Sequence, residues 1–165
     1  MVKRTDIYTD IRGQTIPLSE LDDEERALVV RLRERAAGQP DWNEFDGFWW
    51  REIAKFYDSR GVPRSESSQT GVYRIAKDLS SRLAIAAGLA REPDYRDELA
   101  DLIRRRFKTR REFCEASGLS EDMLSHVLAR RKHLSIESLQ QALSKVGCVL
   151  RITSIEQPPE HRVAG

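Results

Sequence analysis

The stretch "TRREFCEASGLSEDMLSHVLARRKHLS", residues 109–135, predicts two short helices that meet at a glycine. Thr109 followed by Glu112 has the spacing of a capping box, which places the start of the first helix at this threonine. Gly118 can adopt the positive φ that ends a helix, and Ser120 is a good N-cap for the next one. Ser135 caps a last helix, "SIESLQQALSKVG". The stretch therefore predicts two helices joined by a tight turn.

The charge of the chain is distributed unevenly. A third of the 165 residues are charged and the net charge is +1, which excludes a polybasic tail. Residues 18–60 carry eleven acids against seven Lys and Arg, whereas residues 104–134 carry nine Lys and Arg against four acids. This asymmetry indicates a working surface in the basic part of the chain.

Several classes of protein are disfavoured by the composition. The cysteines Cys114 and Cys148 are too few for a disulfide framework and lie among apolar neighbours, so we expect small buried thiols. The N-terminal residues lack the apolar core of a signal peptide, and no apolar run approaches the ~20 residues of a membrane helix, so we expect a cytoplasmic protein. Neither metal-ligand spacing nor a catalytic motif stands out, and we expect no metal, no cofactor and no enzyme activity.

Apolar periodicity predicts four more helices before Thr109. They span residues 19–37, with Ser19 as the N-cap, and residues 43–59, 70–89 and 93–107, with a polar loop over 61–71. "CVLRITSI", residues 148–155, is rich in β-branched residues and predicts a C-terminal strand. A single strand needs a partner, either the segment around Ile7–Ile11 or the same strand of a second subunit. The expected fold class is therefore all-α with a short C-terminal β-strand.

The acidic N-terminal part is expected to be a scaffold or a dimerisation region. Trp49 fits the buried stripe of the helix over residues 43–59, but Trp50 beside it lies off the stripe and indicates a second packing partner or an interface. We expect three parts in the chain. They are an acidic helical region over residues 1–92, a basic region with the terminal strand over 93–156, and a disordered tail over 157–165.

From Glu98 to Gly147 the spacing resembles the lambda-repressor-like family of helix-turn-helix proteins, also known as the Cro-type or xenobiotic-response-element family. The matching positions are Thr109, Glu112, Phe113, Cys114, Gly118, Leu119, Ser120, Leu124, Val127, the segment 129–132, Ser135, Leu139 and Leu143. The resemblance covers the last third of the chain and implies that the second helix of the pair enters the DNA major groove. The chain has Leu128 and Arg130 where the family often has Glu and Gly, which leaves open how the turn after the second helix is built.

The resemblance implies a set of DNA contacts. Side chains in the first part of the second helix would face the bases, namely Glu121, Asp122 and Ser125. The phosphate contacts would come from Thr109, Arg110, Arg111, Arg130, Arg131 and Lys132. The two acids have two explanations: they offset the helix dipole, by ~0.3–1 kcal/mol each, or one of them accepts a hydrogen bond from cytosine N4.

The expected function is sequence-specific binding of double-stranded DNA by a transcriptional regulator. A homodimer would fit palindromic half-sites, and one form of this function is an antitoxin-like partner of a toxin that regulates its own synthesis. The alternative is a protein–protein adaptor that keeps the helix-turn-helix fold without binding DNA. DNA binding with a steep salt dependence would separate the two.

Overall fold

Helices dominate residues 7–155, the part of the chain that the computed structural model describes, as the apolar periodicity predicted. The predicted disordered tail at 157–165 lies outside these residues. Contacts divide the described chain into a first unit, made mainly of residues 7–92, and a second unit, residues 93–153. No helix among the described residues combines the length and the apolarity that a membrane crossing requires.

The first unit begins with a small antiparallel hairpin. Strand β1 (Ile7–Thr9) pairs with strand β2 (Thr15–Pro17), which sets Tyr8 opposite Ile16, and both of these side chains are buried. The Asp10 carboxylate closes the turn by accepting hydrogen bonds from two backbone N–H groups of the loop at 2.8 and 2.9 Å. An aspartate that satisfies the backbone of its own turn is a common way to fix a short loop.

The prediction of a C-terminal strand is wrong, because residues 148–155 form no strand and both described strands are N-terminal. The β-branched composition of the segment favours an extended backbone, but a strand also needs a partner and a face to bury. The suggested partner segment is paired instead within its own hairpin, as β1 with β2. Ile152 is fully exposed, so the segment buries no regular face.

The first unit contains four helices after a short 3-10 turn over Leu18–Glu20. They are α1 (Asp23–Ala37), α2 (Trp42–Ser59), α3 (Arg64–Ser67) and α4 (Gly71–Ala86). Helix α1 begins later than predicted, because Asp22 and not Ser19 is its N-cap. The Asp22 carboxylate accepts from the N–H of Glu25 at 2.9 Å, and the Glu25 carboxylate accepts from the N–H of Asp22 at 3.1 Å. This reciprocal capping box satisfies two N–H groups and fixes the start of the helix.

The first unit differs from the prediction in two other places. The short α3 lies inside the segment predicted as a loop, and α4 ends at Ala86, three residues early. The core is formed by side chains of the hairpin, α1, α2 and α4, the largest fully buried ones being Tyr8, Leu28, Leu32, Phe45, Val72 and Ile75. Trp49 is buried, whereas Trp50 is 47% exposed and lies edge-on against Trp49 and Tyr73.

The second unit contains four helices around one core. They are α5 (Tyr95–Arg106), α6 (Arg110–Ser117), α7 (Glu121–Leu128) and α8 (Ile136–Lys145). Their side-chain N-caps are Asp94, Thr109, Ser120 and Ser135, the last three as predicted from the sequence. The core consists of Leu99, Ile103, Phe113, Cys114, Leu124, Val127 and Val146.

Candidate nucleic-acid interface

The turn between α6 and α7 has a fixed geometry. Gly118 ends α6 in the left-handed region, with φ +80°, and its N–H donates to the carbonyl of Cys114 at 2.9 Å. A side chain at this position would be strained, because L-residues rarely adopt that φ. Two residues later the Ser120 hydroxyl accepts from the N–H of Met123 at 3.2 Å and starts α7. Two helices of eight residues each are therefore separated by three residues whose conformation is set by a glycine and a cap.

The start of α6 is capped in a way that differs in part from the prediction. The Thr109 hydroxyl accepts from the N–H of Glu112 at 3.1 Å, as a capping box requires. The Glu112 carboxylate, however, accepts from the N–H of Lys108 at 2.8 Å instead of that of Thr109. Thr109 remains exposed at the helix start, where unsatisfied N–H groups attract anions.

The residues predicted to face the bases are exposed on one side of α7. Glu121 and Asp122 lie in its first turn and Ser125 one turn further on, while Leu124 and Val127 on the other side are buried in the core. Asp122 lies 3.5 Å from the ring of His126, one turn further along the helix. The helix therefore presents a polar surface that begins with two acids.

The cations predicted to hold phosphate differ in their partners. Arg110, Arg131 and Lys132 are exposed and form no ion pair with any residue that the structure describes. Arg111 is exposed too, but its Nε donates to the Glu115 carboxylate at 3.0 Å. That hydrogen bond, aided by the charges of Glu115 and Glu121, raises the pKa of Arg111. Arg111 is therefore partly neutralised on the surface, and the other three cations are not.

Arg130 belongs to a different environment. Its guanidinium lies 2.5 Å from the Asp94 carboxylate and 2.7 Å from that of Asp97, and the side chain is only 25% exposed. Its backbone is left-handed, with φ +62°. A double ion pair thus joins the turn after α7 to the start of α5. Nothing near Arg130 in the sequence indicated this role, because its partners lie 36 and 33 residues away.

The structure places three residues of the basic run before the turn around one cavity. Arg104 at the end of α5, Lys108 in the connection and Arg110 at the start of α6 border one cavity of about 410 Å³, lined as well by Phe107 and Leu128. The basic run before the turn was visible in the sequence. Helical periodicity alone could not show that these three side chains share a cavity, since the path of the connection decides it.

Cys114 fits the buried thiol expected from its neighbours. Burial raises the pKa of this thiol, and the charges of Glu121 and Glu115 add to the effect. A thiol held in its protonated form is a poor nucleophile. Its small volume lets α6 pack into the core of the second unit.

The ion pairs at Asp94 give the second unit a predictable response to acid. Arg96 first, and Arg130 with it, hold the pKa of Asp94 well below its ordinary value. Because the pKa is lower in the folded state, this stabilisation is present above the unfolded value of about 3.9 and is lost as the pH falls below it. We expect Asp94→Asn, which retains an N-cap, to flatten the pH dependence of unfolding between about pH 5 and 2.

Unfolding of the variant should take up about one proton fewer over this range. The slope of the free energy of unfolding against pH should therefore fall by about 1.4 kcal/mol per pH unit. Urea titrations followed by circular dichroism at stepped pH values measure it. The same slope in the variant and the wild type would show that the pairs at Asp94 are not coupled to folding.

No protein-family model, curated protein or solved structure matches this chain.

Proposed function

We propose that this chain is a cytoplasmic, sequence-specific double-stranded DNA-binding transcriptional regulator in which α6 and α7 act as a helix-turn-helix. The observation that carries the proposal is the arrangement around the turn at Gly118. The exposed starts of α6 and α7 are accompanied on both sides by cations that form no ion pair within residues 7–155. They are Arg110 before the turn and Arg131 and Lys132 after α7. Exposed helix starts and arginine or lysine side chains are groups that hold DNA phosphates.

The conformation of Arg130 also supports the proposal. The residue occupies the position at which the resembling family often has glycine, and its φ of +62° lies in the region that glycine favours. In this proposal the turn after α7 has the backbone conformation that a glycine would favour, and the ion pairs of Arg130 to Asp94 and Asp97 offset the strain. In this proposal Arg130 positions the turn, and the phosphate contacts fall to Arg110, Arg131 and Lys132.

The acids at the start of α7 take part in base recognition in this proposal. Carboxylates near phosphates oppose binding unless they accept hydrogen bonds from donors on the DNA, and the cytosine amino group in the major groove is such a donor. Glu121 and Asp122 therefore lower the affinity for DNA in general and raise the preference for sites that offer this group. Ser125, one turn further, is placed to contact the same groove.

The proposal is tested by recovering sheared genomic fragments on the full chain and sequencing them. The variant Arg131→Ala/Lys132→Ala removes two cations after α7. The matched control Arg51→Ala/Lys55→Ala removes two exposed cations from α2 of the first unit. We expect the wild type and the control to enrich the same few sites with a shared motif, and the variant to lose them. On a recovered site, the slope of log K against log[salt] should be smaller in magnitude by about 1.8 in the variant than in the wild type, because two phosphate contacts are lost.

Absence of any enriched site, with equal weak binding by all three proteins, would contradict the proposal. It would favour the adaptor function instead.

A specific observation supports the adaptor function as a second candidate. Glu115, Glu121 and Asp122 are all exposed on α6 and α7, and such a surface suits a basic protein partner. The DNA-binding proposal includes assembly as a homodimer on paired half-sites. It also includes pairing with a toxin.

A further inference from the structure

The first unit contains an open cavity of about 510 Å³ that is bordered by α2 and α4. All three tryptophans of the chain, Trp42, Trp49 and Trp50, lie in its wall together with Tyr73. Small-molecule sites in proteins commonly have this volume and are lined by aromatic side chains, with a few polar groups that fix the orientation of the ligand. The cavity lies within the first unit, whereas the proposed DNA contacts belong to the second.

Part of the aromatic wall is open to a ligand. Trp50 is 47% exposed, and its ring lies edge-on against those of Trp49 and Tyr73, with ring centres 5.5 and 6.1 Å apart. Rings in edge-to-face contact attract one another and hold each other in place. Ala84 and Ala90 also line the cavity, where their small side chains leave space beside the rings. An apolar group of a ligand, above all an aromatic ring, would therefore find a fixed surface on which to pack.

The cavity also contains a carboxylate that forms no ion pair within residues 7–155. Asp46 Oδ1 accepts from Trp49 Nε1 at 2.9 Å and from the Ser80 hydroxyl at 2.8 Å. The Ser80 hydroxyl in turn accepts from Trp42 Nε1 at 3.1 Å. These donors are neutral, so they orient the carboxylate without cancelling its charge. The second oxygen, Oδ2, forms no hydrogen bond with the described residues, and a ligand that binds to it meets an acceptor whose position is already fixed.

A cation lines the same cavity without pairing with Asp46. Lys77 on α4 is exposed and forms no ion pair with any residue that the structure describes. The lining therefore carries one negative and one positive charge, both open to a partner, and no net charge. An ion of either sign would meet one attractive and one repulsive group. A ligand that carries both charges can be oriented so that each of them meets its opposite.

We propose that this cavity binds a free amino acid with an aromatic side chain. The α-ammonium group of the ligand donates to Asp46, its α-carboxylate accepts from Lys77, and its ring packs against Trp50 and Tyr73. Hydrogen bonds between ionised groups are stronger than those between neutral ones. Exposed ion pairs contribute little by themselves, so the apolar contact of the ring supplies much of the affinity and the two charges supply the selectivity.

The test titrates L-phenylalanine into the full chain by calorimetry, together with two analogues that each keep one of its charges. Phenethylamine lacks the carboxylate, and 3-phenylpropionate lacks the ammonium group. We expect phenylalanine to bind at one site per chain and each analogue to bind about tenfold more weakly, as the loss of one charge-assisted hydrogen bond predicts. Tryptophan fluorescence, excited where phenylalanine does not absorb, should change with the same affinity, because every tryptophan lies in the cavity wall.

Two variants connect the charges of the ligand with residues. Asp46→Asn keeps an oxygen that accepts from Trp49 and Ser80, and it should weaken the binding of phenylalanine and phenethylamine about tenfold but not that of 3-phenylpropionate. Lys77→Met should weaken the binding of phenylalanine and 3-phenylpropionate by a similar factor but not that of phenethylamine. The matched control Lys55→Met, which removes an exposed lysine of α2 outside the cavity, should change none of the three affinities.

A thermal melt of each variant verifies that the first unit stays folded. The proposal would be overturned by a failure of phenylalanine to bind the wild type or by equal affinity for either analogue. Binding of phenylalanine with wild-type affinity by folded Asp46→Asn would overturn it as well. None of these measurements involves DNA, so their outcome is separate from that of the DNA-binding proposal.

Discussion

Phe113→Ala is expected to lower the free energy of unfolding of the second unit by about 3–5 kcal/mol, the usual cost of truncating a buried phenylalanine. The side chain is completely buried at the centre of that core, and its ring packs edge-on against Phe107 with ring centres 5.3 Å apart. A unit of about 60 residues has a total stability of only a few kcal/mol. We therefore expect most of the second unit to be unfolded in this variant at ambient temperature.

Two optical signals separate the units in this experiment. All three tryptophans lie in the first unit, so tryptophan fluorescence follows that unit while circular dichroism follows both. A loss of helical signal without a shift of the fluorescence transition would place the damage in the second unit. The matched control is Ile136→Ala, since this side chain is 68% exposed in the same unit and should change stability by less than about 0.5 kcal/mol. Equal effects of the two variants would contradict the core as described.

Asp78→Ala is expected to destabilise the first unit by about 3–5 kcal/mol, the usual cost of removing one member of a buried ion pair. The substitution removes the acceptor of Arg82, of the Tyr8 hydroxyl and of the N–H of Ile11 at once. The Arg82 side chain is only 17% exposed, so water cannot fully replace the lost carboxylate. Urea unfolding followed by tryptophan fluorescence measures the change in the unit that contains Asp78.

The double variant Asp78→Ala/Arg82→Leu shows whether the uncompensated charge is the cause. Removing both members of a buried pair costs much less than removing one, because the charge that the pair compensated is removed as well. We therefore expect the double variant to recover about half or more of the stability that the single variant loses. A double variant less stable than the single one would indicate that the packing of Arg82, and not its charge, dominates.

The sequence was sufficient to predict the helices of the second unit. Thr109, Ser120 and Ser135 cap α6, α7 and α8 as predicted, and Gly118 ends α6 with a positive φ. These features depend on hydrogen bonds between residues that are two to four positions apart, so local spacing is enough to identify them. The exposure of Glu121, Asp122 and Ser125 follows from the same helical period.

Where a choice existed between two local signals, the sequence alone was less reliable. Ser19 and Asp22 are both acceptable N-caps, and the helix begins after Asp22 because Glu25 completes a capping box with it. The β-branched segment at 148–155 has strand propensity but no described partner, whereas the short hairpin at the N-terminus has both its turn and its second strand nearby. Propensity for a strand becomes a strand only where another backbone is available.

The sequence by itself determined the mainly helical fold class, the start of three helices in the second unit and the excess of basic residues over 104–134. Only the tertiary structure decided that Arg130 pairs with Asp94 and Asp97, and that Asp78 accepts hydrogen bonds from Tyr8 and Ile11. The physical reason is the distance along the chain. Caps and periodic faces are made by near neighbours, while these ion pairs and hydrogen bonds join residues tens of positions apart, whose meeting depends on how the whole core packs.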